Sequence, residues 1–180
     1  LERAIEIATD AHRGQLDKAG KEYISHPLRV MAAGKSTEEK IVGVLHDVVE
    51  DAGIAIEEIE EKFGKRVREL VESETEDKRA DLPPPETWRI RKEESLAVLK
   101  STEDIGVLMV WLGDKLANMR SIYRDWKVEG NSMWQKFNQK DVGEQAWYYR
   151  FILELTERLS GTSSWLEYKT LTELVFGKGE

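Results

Sequence analysis

The eight residues Val44-Leu45-His46-Asp47-Val48-Val49-Glu50-Asp51 set one imidazole and three carboxylates into otherwise apolar sequence. Buried ionisable groups are costly unless something pairs with them, so this stretch calls for a partner. Read as helix, residues four apart share a face, which lays His46 over Glu50 and Asp47 over Asp51. His46 and Asp47 then sit about 100° apart around the axis and can both reach one point at the helix edge. Imidazole nitrogen with carboxylate oxygen suits zinc, manganese or iron. One helix supplies only two such ligands, so a metal needs others from elsewhere. The chain has 3 histidines, and His26 opens a different segment. Asp114 follows a long apolar run that would bury it, and a cation would offset the cost of burying its charge. The plainer alternative is a hydrogen-bonded core histidine beside a chance aspartate. That account must satisfy each of these groups separately.

The elements that must position these residues read as helices. Ile5, Ala8, Ala11 and His12 share one face of a first helix ending near Gly14. His26-Pro27-Leu28-Arg29-Val30-Met31 opens a second, with proline in the first turn, where its missing N–H does no harm; Gly34 stops it. Ser36 and Glu39 have capping-box spacing and open a third, whose apolar side is Ile41, Val44, Leu45, Val48 and Val49 and which Gly53 ends. A short helix spans Ile56 to Phe63 before Gly64. Residues 74–86 are charged and then proline-rich, which reads as a loop. A helix from about Thr87 to Lys100 follows. The apolar run from Asp104 to Leu112 suits a buried strand or a buried helix. Helix is preferred, because Asp114, Asn118 and Ser121 continue a 3.6-residue rhythm after it. Glu144 to Phe176 reads as two more helices. The fold class expected is all-α.

The whole chain narrows the function classes. Its 180 residues suit one domain or one domain with an appendage, and 40% are hydrophobic, enough for a core. No run of eighteen apolar residues occurs, so no membrane span is expected, and the first residues read as a helix rather than a leader. The absence of cysteine excludes disulfides and thiolate ligands and fits a cytoplasmic setting. A net charge of -8 argues against broad nucleic-acid or anionic-membrane binding. A small anionic substrate stays open, because a bound metal and a few local cations can reverse the potential inside one cleft.

His26, His46-Asp47 and Asp114 together resemble the H…HD…D signature of the HD superfamily of metal-dependent phosphohydrolases. Ala11-His12-Arg13-Gly14-Gln15, Gly20 and Tyr23-Ile24-Ser25-His26-Pro27 are similar to the opening segment of the RelA/SpoT hydrolase domain and of small alarmone hydrolases. His46 to Asp51, Phe63-Gly64 and Asp114-Lys115-Leu116-Ala117-Asn118-Met119-Arg120 resemble its later blocks, in the same order. The resemblance covers about residues 1–125. It implies a single-domain helical bundle of the HD type, with 1–125 as hydrolase core and 126–180 as C-terminal helices packed on it.

The resemblance also implies one divalent ion, most often manganese, held by His26, His46, Asp47 and Asp114. Such an ion lowers the pKa of a bound water. Glu50 and Asp51 match the acidic pair that orients or deprotonates that water and assists the leaving group. The reaction implied is removal of the 3′-pyrophosphate from (p)ppGpp. Asn118 and Ser121 match nucleotide contacts; Lys18, Tyr23 and Lys115 are further candidate contacts; His12 matches a position without a ligand role. The partner implied is a small nucleotide polyphosphate, with a homo-oligomer left open.

The match is incomplete on the substrate side. Asp17 stands where the family usually has an arginine near the guanine base, and a carboxylate there repels a polyanion. Glu22 replaces a usual proline, Trp111 a frequent lysine, and Gly113 an alanine. Arg89, Arg91 and Lys92, after the proline loop, could close as a lid or merely pair with Glu93 and Glu94 on a solvated face. The aromatics Trp126, Trp134, Phe137, Trp147 and Tyr148 could stack a base or form core. Two alternatives accompany the alarmone hydrolase: an HD phosphohydrolase for another nucleotide phosphate, and a helical sensor that binds metal and nucleotide without turnover.

Overall fold

The structure, a computed structural model, describes residues 1–178. It is all-α: helices follow one another from α1 (Glu2–Ala11) to α10 (Ser163–Phe176). Among the described residues the only β pairing is an isolated bridge between Leu16 and Glu22. None of the described helices is long and apolar enough to cross a membrane. Contacts divide the chain into two compact units, Leu1–Asp77 with Asp104–Gly113, and Lys78–Glu103 with Asp114–Glu180.

In the first unit, α1 buries Ala4 and Ala8, one turn apart, and its C-terminal cap is the buried His12. α2 (Ser25–Ala33) carries His26 and Pro27 in its first turn. α3 (Thr37–Leu45) opens on the expected capping box: Ser36 Oγ accepts from the Glu39 amide at 3.0 Å while Glu39 reaches back to the Ser36 amide. Helices α2 and α3 pack at close range because Gly43 has no side chain. A Cβ there would lie 2.9 Å from the Met31 nitrogen.

The third helix of the sequence reading is two helices. α3 ends at Leu45 and α4 (Val48–Ala52) begins only after His46 and Asp47. Apolar spacing runs through the break and so hides it. Gly53, at φ +67°, ends α4 in the left-handed conformation that glycine adopts freely. α5 (Ile56–Phe63) and α6 (Lys65–Glu74) follow, hinged at Gly64. The sequence reading left α6 unassigned. The run after Asp104 is helical, as the rhythm of its polar residues requires: α8 is Ile105–Glu129. Its first turns are fastened to α6 by Arg66, which grips both oxygens of Asp104, and by Trp111 Nε1, which donates to the Ser73 carbonyl at 3.1 Å.

In the second unit, α7 (Pro84–Ser101) packs on α9 (Val142–Leu155), and α9 on α10. A 3-10 segment, Gly130–Lys136, follows α8. Of the aromatics Trp126, Trp134, Phe137, Trp147 and Tyr148, Trp134 and Tyr148 are buried in the core and the other three are half-buried. The Tyr168 hydroxyl donates to the Tyr149 carbonyl at 2.9 Å. Arg89 bonds Glu93 and Glu144, each at 2.7 Å, and its guanidinium lies 3.5 Å over the Trp147 ring. Arg91 is buried and bonds the Thr87 hydroxyl at 3.2 Å. These arginines brace α7.

Candidate metal centre

The break between α3 and α4 is what arms His46. The last carbonyls of a helix have no helical partner, and that of Gly43 is taken by the imidazole: His46 Nδ1 lies 2.8 Å from it. A carbonyl can only accept, so Nδ1 carries a proton and donates it, which turns Nε2 to the other side of the ring. Nε2 faces a carboxylate, with His46 Nε2 3.0 Å from Asp47 Oδ2 and His26 Nε2 3.8 Å from the same oxygen. His46 is 2% exposed and His26 8%, so little water reaches the contact.

Asp114 directly follows Gly113 on the continuous helix α8. One ligand atom from each of His26, His46 and Asp114 lies within 4.8 Å of the others, and all three residues are buried. Two imidazoles and a carboxylate, closely set and shielded, form a donor set that fits a first-row divalent cation. Asp47 stands outside that group of three but keeps the two imidazole contacts given above.

The remaining residues take these positions. The Tyr23 hydroxyl donates to Asp47 Oδ2 at 2.5 Å. Glu50 Oε2 accepts from the Glu76 amide at 3.0 Å. Asp51 closes α4, its amide 2.8 Å from the Asp47 carbonyl and its own carbonyl accepting from Gln15 Nε2 at 3.3 Å. Lys115 pairs with Asp114 Oδ2, and the Asn118 amide approaches Asp114 Oδ1 at 3.3 Å. Asn118 and Ser121, both half-buried, continue the Asp114 face of α8. Lys18 counts among the exposed side chains, yet protein crowding around its ammonium lowers its pKa through lost hydration, against the opposing pull of Asp17 and Asp51. The Asp17 carboxylate is turned into its own loop, accepting from the amides of Ala19 at 2.8 Å and Lys21 at 2.9 Å.

A family profile described as HD domain matches residues 4–141. The chain belongs to the HD domain family. It is 35% identical over 127 residues, 68% of its length, to the guanosine-3′,5′-bis(diphosphate) 3′-pyrophosphohydrolase of Aquifex aeolicus, of which it spans 18%. It is also 35% identical over 129 residues to the bifunctional (p)ppGpp synthase/hydrolase SpoT of Escherichia coli, again spanning 18%. The chain thus covers under a fifth of these curated relatives. Among solved structures, one from Listeria monocytogenes aligns with a TM-score of 0.72 at 30% identity, covering 85% of this chain and 99% of that one. Another, described as a metazoan ortholog of SpoT that hydrolyzes ppGpp, aligns with a TM-score of 0.76 at 22% identity, covering 98% and 96%. At that identity the likeness speaks for the fold alone.

Within the HD domain three residues escaped the sequence reading as parts of the centre. Gly43 supplies the carbonyl that sets the His46 tautomer, Gln15 links His12 to Asp51, and Glu76 holds Glu50. Gln15 ends the segment Ala11-His12-Arg13-Gly14-Gln15 that resembles the family's opening motif, and that resemblance is the signal for it. Gly43 and Glu76 act through backbone atoms, and no side-chain pattern marks those.

Proposed function

We propose that this HD domain is a metal-dependent pyrophosphohydrolase that releases pyrophosphate from a guanosine polyphosphate of the (p)ppGpp type. The observation that carries the reading is the convergence of two buried imidazoles on one carboxylate oxygen, His46 Nε2 at 3.0 Å and His26 Nε2 at 3.8 Å from Asp47 Oδ2. The likeness to curated 3′-pyrophosphohydrolases supports the substrate class. His26, His46, Asp47 and Asp114 would hold one divalent cation, manganese being our choice, in a protein of the cytoplasm. Bound there, the cation would place positive charge against the phosphate oxygens and make nearby water more acidic.

The chain's own groups supply the rest. Gly43 holds His46 so that Nε2 faces inward, and Tyr23 holds Asp47. Glu50 and Asp51 take the proton from the attacking water as its oxygen bonds to phosphorus. The bond from phosphorus to the 3′ oxygen breaks, and a proton returned by the same acidic pair reaches that oxygen. Lys18, Lys115, Asn118 and Ser121 are our candidates for the polyphosphate and nucleoside contacts.

Purified protein with Mn²⁺ should release pyrophosphate from ppGpp, and Asp47→Ala should abolish the release. No turnover of (p)ppGpp by the metal-loaded protein would end the alarmone assignment. A second reading, hydrolysis of another nucleotide phosphate, is favoured by Asp17, whose carboxylate is spent on its own loop so that position 17 offers no cation to a base. A panel of other 3′- and 5′-phosphorylated nucleotides separates the two.

A further inference from the structure

Gln15 joins three segments of the first unit. Its main-chain carbonyl accepts from the Tyr23 amide at 2.9 Å, its Oε1 meets His12 Nδ1 at 2.8 Å, and its Nε2 donates to the Asp51 carbonyl at 3.3 Å. The loop that carries Tyr23 is thereby fastened both to the end of α1 and to the end of α4. Tyr23 is then wedged in place, its ring 5.0 Å from that of the buried His12 and 5.8 Å from that of His26. A ring held on two sides aims its hydroxyl with little freedom, and that hydroxyl reaches Asp47 Oδ2 at 2.5 Å. This length is that of a charge-assisted bond to a carboxylate. The oxygen it holds is the one facing both imidazoles.

We propose that Tyr23 is a positioning residue: its hydroxyl, aimed by the His12–Gln15 brace, fixes the Asp47 carboxylate against His26 and His46 and so sets the affinity of the centre for a divalent cation. The inference rests on the metal-site reading and deepens it. It differs from the substrate contact expected of Tyr23 on sequence grounds, and the two assignments move different quantities. Outer groups that orient a ligand typically change metal affinity by about 10- to 100-fold when removed. A substrate contact changes KM and leaves metal affinity alone.

The test is calorimetric titration of the full chain with Mn²⁺, together with steady-state kinetics at saturating Mn²⁺. Tyr23→Phe keeps the ring between the two imidazoles and should bind Mn²⁺ about 10- to 100-fold more weakly, with KM for ppGpp unchanged once metal is saturating. Position 23 carrying p-aminophenylalanine, which retains a donor at the ring tip, should bind Mn²⁺ more tightly than p-methoxyphenylalanine, which has none. That pair serves equally if the Phe variant does not fold. Wild-type Mn²⁺ affinity in Tyr23→Phe, equal affinity in the two analogues, or a raised KM with unchanged metal binding would overturn the inference. Wild-type protein that takes up no Mn²⁺ would instead bring down the metal-site reading itself.

Discussion

The Nδ1–H of His46 donates to the Gly43 carbonyl at 2.8 Å, the bond that an unbroken helix would have given to the amide of Asp47. The chain therefore exchanges one turn of regular helix for a histidine with a fixed tautomer. The same glycine lets α2 approach α3, so one small residue both orients His46 and brings the helix of His26 beside it.

Gly43→Ala should damage stability and metal binding together. The added Cβ would meet the Met31 nitrogen at 2.9 Å and the Val30 carbonyl carbon at 3.0 Å, both backbone atoms that cannot turn aside. Overpacking of this kind costs about 1–3 kcal/mol. Thermal melts should show that loss, and Mn²⁺ titration a weakened site. An unchanged melting temperature would mean that the helices can part at no cost.

Glu50→Gln should separate proton transfer from metal binding. The amide keeps an oxygen to accept from Glu76 but can no longer take a proton from water. Loss of a general base typically costs about 10²- to 10⁴-fold in kcat. The expected result is a fall of that size with Mn²⁺ affinity near wild type. Full activity in the variant would remove Glu50 from the mechanism.

The Arg66–Asp104 pair should make a small, acid-sensitive contribution to stability. The Arg66 guanidinium holds the Asp104 carboxyl down to about 2, from 3.8. A group depressed in this way stabilises the fold fully above the unfolded value of 3.8, and loses its contribution as pH falls through about 2. Both side chains are more than a third exposed, which holds the contribution to about 1 kcal/mol or less. Urea unfolding of wild type and Asp104→Ala should differ by that amount at neutral pH and converge toward pH 2. A gap that survives to that pH would point to the Gly106 amide, which also bonds Asp104, rather than to the ion pair.

Much of this was legible along the chain. The capping box at Ser36, the stop at Gly53 and the helical rhythm through Asp114 depend on neighbours within one or two turns, and local spacing reports such contacts directly. The cost of burying charge singled out His26, His46, Asp47 and Asp114, with Glu50 and Asp51, as candidates for one site, and His26, His46 and Asp114 are the three whose ligand atoms lie close together. The break at His46-Asp47, the Tyr23 bond to Asp47 and the Gln15 bond to Asp51 were not legible. Helix α4 keeps the apolar register of α3, and Tyr23 and Asp47 are distant in sequence, so no spacing records the contact.

The sequence by itself determined which side chains could ligate a cation and that helices would carry them, because residue chemistry and short-range periodicity are written along the chain. Tertiary structure alone decided which nitrogen of His46 is offered, which oxygen faces it, and what holds that oxygen still. Those are matters of direction and distance between segments far apart in sequence, set only when Gly43 lets two helices close to backbone contact.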